Sequence, residues 1–244
     1  MRKLILIIAG MMQSLILSAL TNDLPDIEMV IVNGGTFTMG FDADETEHAY
    51  EVPKHEVTLR DYNIGKYEVT QDLWEAVMGD NPSTFKGPDL PVENISWNDI
   101  QLFIKKLNKL TGKHYRLPTE AEWEFAARGG NESKGYMYIG GDEIDKTAWH
   151  FGNSDKSTHA VGSLDSNELG IFDMAGNVSE WTQDWFGPYS DKAQTNPKGA
   201  KSSDIGKIFR GGNCANLLIY NKPACRFVSD PNFKSSTIGF RLAE

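Results

Sequence analysis

Cysteine is scarce in this chain. Only Cys214 and Cys225 occur in 244 residues. That is too few for a disulfide framework. It leaves a single bridge or a pair of buried thiols, since cysteine is among the most often buried residue types. Histidine is also sparse. His48, His55, His114, His150 and His159 show no metal-ligand spacing, so they read as ordinary surface or hydrogen-bonded side chains. His55-Glu56-Val57-Thr58-Leu59 begins like a zinc-protease helix, but Leu59 stands where the second His is required. There is no Gly-x-Ser-x-Gly elbow and no phosphate loop. Basic charge is short as well, with 24 Lys and Arg against 34 Asp and Glu, a formal net charge of -10. An acidic chain gains nothing from phosphate, which argues against nucleic acid and anionic membrane surfaces as partners. No internal repeat, low-complexity tract or linker interrupts the chain after about residue 27. Residues 28–244 therefore read as one domain, which is not an integral membrane protein once a leader is removed.

That leader is the one long apolar run. Arg2 and Lys3 form a positive start, and Leu4 to Leu20 is apolar except for Gln13, Ser14 and Ser18. Small residues Ser18 and Ala19 precede the polar Thr21-Asn22-Asp23. Residues 1–20 have the shape of a cleavable signal peptide. The alternative, an uncleaved anchor, has only seventeen residues, at the short end for a membrane span. No cysteine follows, so a lipid-modified N-terminus is not available. Export sets the expected location as periplasmic or extracellular, where a Cys214–Cys225 disulfide is permitted.

Three helices are legible from caps and periodicity. Thr70 caps 71–78, with Leu73, Trp74 and Val77 on one face. Ser96 caps 97–111, with Asp99 three residues on, Ile100, Phe103, Ile104, Leu107 and Leu110 at helical spacing, and Gly112 as the stop. Thr119 caps 120–128, with Glu122 completing a capping box and Gly129 in the left-handed slot. Glu120 and Glu122 lie at the positive end of that helix dipole, which gives them a structural role. Glu28 to Met39, His55 to Leu59 and Ile64 to Val69 read as strands. Residues 131–170 and 187–206 are rich in Gly, Ser, Asn and Asp and read as loops. Asp42, Asp44, Glu45 and Glu47 read as a solvated acidic loop. Few helices, short strands and much irregular chain make an α+β domain.

Within Gly176–Trp185, Asn177 offers an amide oxygen, Glu180 a carboxylate and Val178 a backbone carbonyl. Hard oxygen donors of this kind suit Ca²⁺. The same stretch reads equally as a tight turn with Trp181 and Trp185 as buried anchors.

The run Arg116-Leu117-Pro118-Thr119-Glu120-Ala121-Glu122-Trp123-Glu124-Phe125-Ala126-Ala127-Arg128-Gly129-Gly130 is the strongest signature in the chain. Phe37-x-Met39-Gly40 and Lys66-x-Glu68-Val69-Thr70 precede it. Gly176–Trp185, Arg210-Gly211-Gly212 and Gly239-Phe240-Arg241-Leu242-Ala243 follow in fixed order. Together these stretches resemble the formylglycine-generating enzyme family, also called sulfatase-modifying factors, over about residues 28–244. The resemblance implies an elaborated C-type-lectin-like α+β domain with little regular secondary structure. It implies a calcium loop at Asn177, Val178 and Glu180, and a weaker second site at Asn153 and Asp155.

The resemblance is incomplete where the chemistry lies. In the active oxidases the double glycine is followed by Ser-x-x-Cys and a second Cys five residues later, and these thiolates hold copper. Soft thiolates are the expected ligands of Cu(I). Counting forward from Gly212 gives Asn216 and Asn221; counting back from Arg226 gives Asn213 and Leu218. Neither register yields a cysteine pair, and Asn213 replaces the serine. The expected function is therefore a calcium-stabilised binding module that displays residues 213–236. Its ligand-binding residues are Asn213, Asn216, Leu218, Tyr220, Asn232 and Phe233, with Leu217 and Ile219 beside them. Its partner is a glycan, a peptide or another envelope protein. The alternative is a formylglycine-generating oxidase, with copper on Cys214 and Cys225 as its weak catalytic candidates.

Overall fold

The computed structural model describes residues 24–42 and 49–244. The signal peptide at 1–20, and Asp44, Glu45, Glu47 and His48, lie outside the described residues. No helix among the described residues is long and apolar enough to cross a membrane.

The chain opens with strands β1 (Met29–Val32) and β2 (Thr36–Met39), then β3 (His55–Thr58) and β4 (Tyr62–Gly65). The sequence reading had one strand over Glu28–Met39; the structure breaks it at Asn33–Gly35. The reason is pairing. β1 runs antiparallel to β4 and β2 runs antiparallel to β3, so the two halves serve different sheets. The strand expected over 64–69 starts earlier, at Tyr62, and ends at Gly65.

Helices α1 (Gln71–Met78), α2 (Trp97–Thr111) and α3 (Glu120–Ala127) follow. Their caps are the expected ones. Thr70 accepts from the Leu73 amide, and Ser96 with Asp99 and Thr119 with Glu122 form capping boxes. Gly112 and Gly129 take left-handed φ of 71° and 88° after their helices. α2 buries Ile100, Phe103, Ile104 and Leu107 along one stripe and leaves Leu102 exposed. α3 differs, because all eight of its residues are buried. It is a core helix, in contact with β2, β7 and β9.

The second half carries short strands β5 (Ala148–Trp149), β6 (Ala175–Gly176), β7 (Ser179–Trp185), β8 (Gln194–Thr195), β9 (Lys207–Arg210), β10 (Arg226–Ser229) and β11 (Ile238–Gly239). The main sheet has the order β10-β9-β7-β11, with β11 parallel to β7 and the other pairs antiparallel. Two apolar clusters flank the polar centre. One gathers Trp123, Phe125, Val57 and Ile64; the other gathers Trp74, Phe103, Trp181 and Phe240. Trp74 stacks on Phe103 at 5.0 Å with an interplanar angle of 3°, and Phe240 meets both rings edge-on.

Candidate functional site

α3 places Glu120, Glu122 and Glu124 inside the protein, and a buried carboxylate demands a partner. Glu122 holds its own helix terminus. It accepts from the Thr119 amide at 2.8 Å and from both terminal nitrogens of Arg116, at 2.6 and 2.9 Å. Glu124 accepts from the Gly40 amide at 2.9 Å, from Arg128 at 2.7 Å and from Arg210. Burial pushes Glu124 upward, but Arg128 and Arg210 together hold it below the usual carboxylate range. Glu120 receives a two-pronged contact from Arg226, at 2.6 Å from Nε and 2.8 Å from Nη2. The expected structural role of Glu120 and Glu122 is what the geometry shows.

A second charged network holds the Gly176–Trp185 segment. Gly176 has φ 76°, and a Cβ there would stand 2.1 Å from the Trp149 carbonyl oxygen, so the close approach requires glycine. Glu180 lies in the buried run that opens β7 at Ser179. Its Oε2 accepts from Trp123 Nε1 and Arg241 Nε, both at 2.7 Å, and its Oε1 from Arg241 Nη2 at 2.5 Å. Asn177 turns the other way. Its amide oxygen accepts from the His159 N–H at 2.9 Å, and its Nδ2 donates to Glu68 at 2.6 Å. Glu68 also accepts from the Val178 N–H at 3.1 Å. Burial, with Asp173 and Glu180 close by, pushes Glu68 well above the usual range; burial lifts Asp173 to about 6.

These donors do not fit the expected calcium loop. The Asn177 amide oxygen is already engaged by the His159 N–H, and a cation at Glu180 would face the Arg241 guanidinium. The weaker pair fares no better. Asn153 Oδ1 accepts from the His150 amide at 2.8 Å and its Nδ2 donates to the Ala148 carbonyl, while Asp155 is exposed. Among the described residues, no three His, Cys, Asp or Glu side chains gather as a metal shell.

The loop after Gly212 returns against this segment, with the Cys214 amide donating to the Asn177 carbonyl at 2.9 Å. Cys214 and Cys225 are both buried and both free, so the permitted disulfide is not formed. Burial, then Glu68, pushes the Cys214 thiol up to about 12. Burial, then Glu51, pushes Cys225 up to about 12. A two-thiolate metal site needs both sulfurs in one pocket, and the acidic neighbours of the two thiols differ, Glu68 for Cys214 and Glu51 for Cys225. By the forward count, Asn216 and Asn221 stand at the oxidase cysteine positions, and each leaves a buried amide oxygen with no partner.

The structure divides the predicted ligand surface. Asn213 is buried, donating to Ser179 Oγ at 3.1 Å and accepting from the Ala215 amide at 3.0 Å. It is thereby removed from the face it was expected to line. Asn216 is half-buried, and Tyr220 packs on Phe227 at 5.8 Å. Asn232 is exposed but accepts from Asn98 at 2.7 Å, so it and the exposed Phe233 belong with the start of α2. The prominent feature is the loop tip. Leu218–Asn221 form a 3-10 turn, with Leu217 57%, Leu218 37% and Ile219 53% exposed. Phe151, 46% exposed, is tied to the same loop by its amide, which donates to the Asn216 carbonyl at 3.0 Å. Sequence reasoning missed Phe151, Glu68, Asp173 and Arg241, because their partners lie far along the chain.

This mixed α+β architecture, with its short strands and buried Arg–Glu scaffold, has relatives. The Sulfatase-modifying factor enzyme 1-like domain matches residues 18–244, and the chain belongs to that family, the family of the formylglycine-generating enzymes. It is 36% identical over 208 residues to the chaperone protein LppX of Paenibacillus barcinonensis, covering 65% of this chain and 71% of that protein. It is 32% identical over 189 residues to the formylglycine-generating enzyme of Streptomyces coelicolor, covering 70% of this chain but only 57% of the enzyme. Among solved structures, Treponema denticola variable protein 1 superposes with a TM-score of 0.81 at 30% identity, covering 89% of this chain and 94% of that one. The C-type-lectin-like fold expected of the family is therefore the fold of this chain.

Proposed function

We propose that this chain is an exported interaction domain of the sulfatase-modifying factor family, and that its partner-binding element is the apolar loop tip at Leu217, Leu218 and Ile219. The carrying observation is the exposure of three adjacent aliphatic side chains on one turn, where most other aliphatics among the described residues are buried. Apolar surface presented this way gains by being covered. It suits a polypeptide better than a glycan, whose hydroxyls would find no polar partners on Leu217, Leu218 and Ile219. The relative named a chaperone protein is in keeping with a polypeptide partner. Export follows from the signal-like residues 1–20, and mass spectrometry of the mature N-terminus tests it. We read the Asn177–Glu180 segment as held by Arg241, Trp123 and His159 in place of calcium. Melting with and without millimolar Ca²⁺ tests that reading: an unchanged transition supports it and a marked upward shift overturns it.

The test of function is a peptide library and a glycan array, each probed with the wild type and a Leu218→Asp/Ile219→Asp double variant. Peptides held by the wild type and released by the double variant support the proposal. Glycan binding that ignores the substitutions contradicts it.

A further inference from the structure

A cavity of about 270 Å³ lies away from the loop tip, where the β2–β3 sheet meets the start of α3 and the end of β7; no residue of 211–222 lines it. Its polar walls are His55, Glu120, Asp184, Tyr189, Gln194 and Arg226. It is far larger than the ~10–15 Å³ that one water needs.

Two of its side chains are deeply buried yet half-used. Asp184 is 3% exposed, and its Oδ2 accepts from the Glu120 amide at 2.9 Å, at the first turn of α3. Its Oδ1 accepts from no donor among the described residues. It lies on the side of Gly199, where a Cβ would come within 2.7 Å of it. His55 is 4% exposed, and its Nδ1 lies 3.2 Å from the Pro53 carbonyl. A carbonyl only accepts, so Nδ1 carries a proton here, and in that tautomer Nε2 is an acceptor. That Nε2 also has no donor among the described residues. Neither atom is sealed off, so both open onto the cavity and leave a place for a donor that the described residues do not supply.

The charges say which donor. Glu120 is consumed by Arg226 and by Arg210 at 3.3 Å. Arg226 in turn lies over the Tyr189 ring at 3.9 Å and donates to the Gly187 carbonyl. The charged groups acting on Asp184 are Glu120, Glu122 and Lys207. Lys207 is turned away, donating to the Gln183 carbonyl at 2.8 Å and lying over Trp97 and Trp185. Asp184 is thus a buried acid without a counter-ion in contact. Gln194 adds an amide on the same wall, and among the described residues its side chain makes no hydrogen bond.

We propose that this cavity binds a small primary amine as its ammonium ion, with N–H groups donating to Asp184 Oδ1, His55 Nε2 and the Gln194 amide oxygen. An ammonium carries three donors and one positive charge, matching three acceptors and one uncompensated acid. It would be drawn to ionised Asp184. Burial, then Glu120, lifts that group to about 7, so binding expels a proton wherever Asp184 is protonated.

The test is isothermal titration of the whole mature chain with ethylamine hydrochloride, in two buffers of different ionisation enthalpy, beside glucose as an uncharged donor. The proposal expects one-to-one binding of ethylamine and a buffer-dependent heat below pH 7. Affinity should rise by up to about tenfold per pH unit towards pH 7 and level off above it. Asp184→Asn should abolish binding while keeping an oxygen for the Glu120 amide. His55→Phe should weaken it several-fold while keeping a ring against Tyr189. Circular dichroism checks that both variants fold. No saturable ethylamine binding at pH 8, glucose binding as well as ethylamine, or binding that survives both substitutions overturns the proposal.

Discussion

Arg241 sits three residues from the C-terminus, yet it holds Glu180 through two nitrogens and also reaches the carbonyls of Gly65 and Phe172. Removing it strands a fully buried carboxylate. Arg241→Met should cost about 3–5 kcal/mol, read by urea unfolding, because breaking one side of a buried pair leaves the other charge uncompensated. Two acids work in the opposite sense. Asp173 at about 6 and Asp184 at about 7 stand above the ordinary Asp value of 3.8. Between those limits the native state binds more protons than the unfolded chain, so stability falls as pH rises from about 4 through 7. Glu124 is depressed instead, and its contribution disappears only as pH falls through its low folded value. Calorimetry should give a melting temperature lower at pH 8 than at pH 5, by about 2–4 °C for each kcal/mol lost. Asp184→Asn should flatten that slope; an unchanged slope would contradict the assignment.

Helix ends and loop tips make separable predictions. Ser96→Ala removes the acceptor for the Asp99 amide and should cost about 1 kcal/mol in denaturant unfolding. The Leu218→Asp/Ile219→Asp double variant touches exposed side chains only, and each substitution should move stability by no more than about 0.5 kcal/mol. The helices were legible because their signals are local: Thr70, Ser96 and Thr119 announce them, and Gly112 and Gly129 end two of them. Strand limits were less so: Asn33-Gly34-Gly35 carries the turn chemistry, but the different partners of β1 and β2 lie far along the chain. The burial of α3 on every side was hidden too. Its glutamates look like a solvated face until Arg116, Arg128, Arg210 and Arg226 are brought in from elsewhere in the chain.

At the scale of the molecule, the family motifs report the scaffold. Trp123, Glu124, Glu180, Arg210 and Arg241 form the interior that positions everything else, so the fold could be read from them. The binding face could not. Asn213 looked exposed by type and is buried, while Phe151 joins the loop tip from far upstream, through the Asn216 carbonyl. The pairing of Glu180 with Arg241 was hidden for a similar reason, because Arg241 lies far along the chain. The chain keeps the family architecture with both cysteines buried, and we propose that they hold no copper. The most direct test is anaerobic Cu(I) titration of the folded chain beside Cys214→Ser and Cys225→Ser. The account predicts no stoichiometric copper and thiols that react only on unfolding. Tight one-to-one copper, lost in either variant, would contradict it.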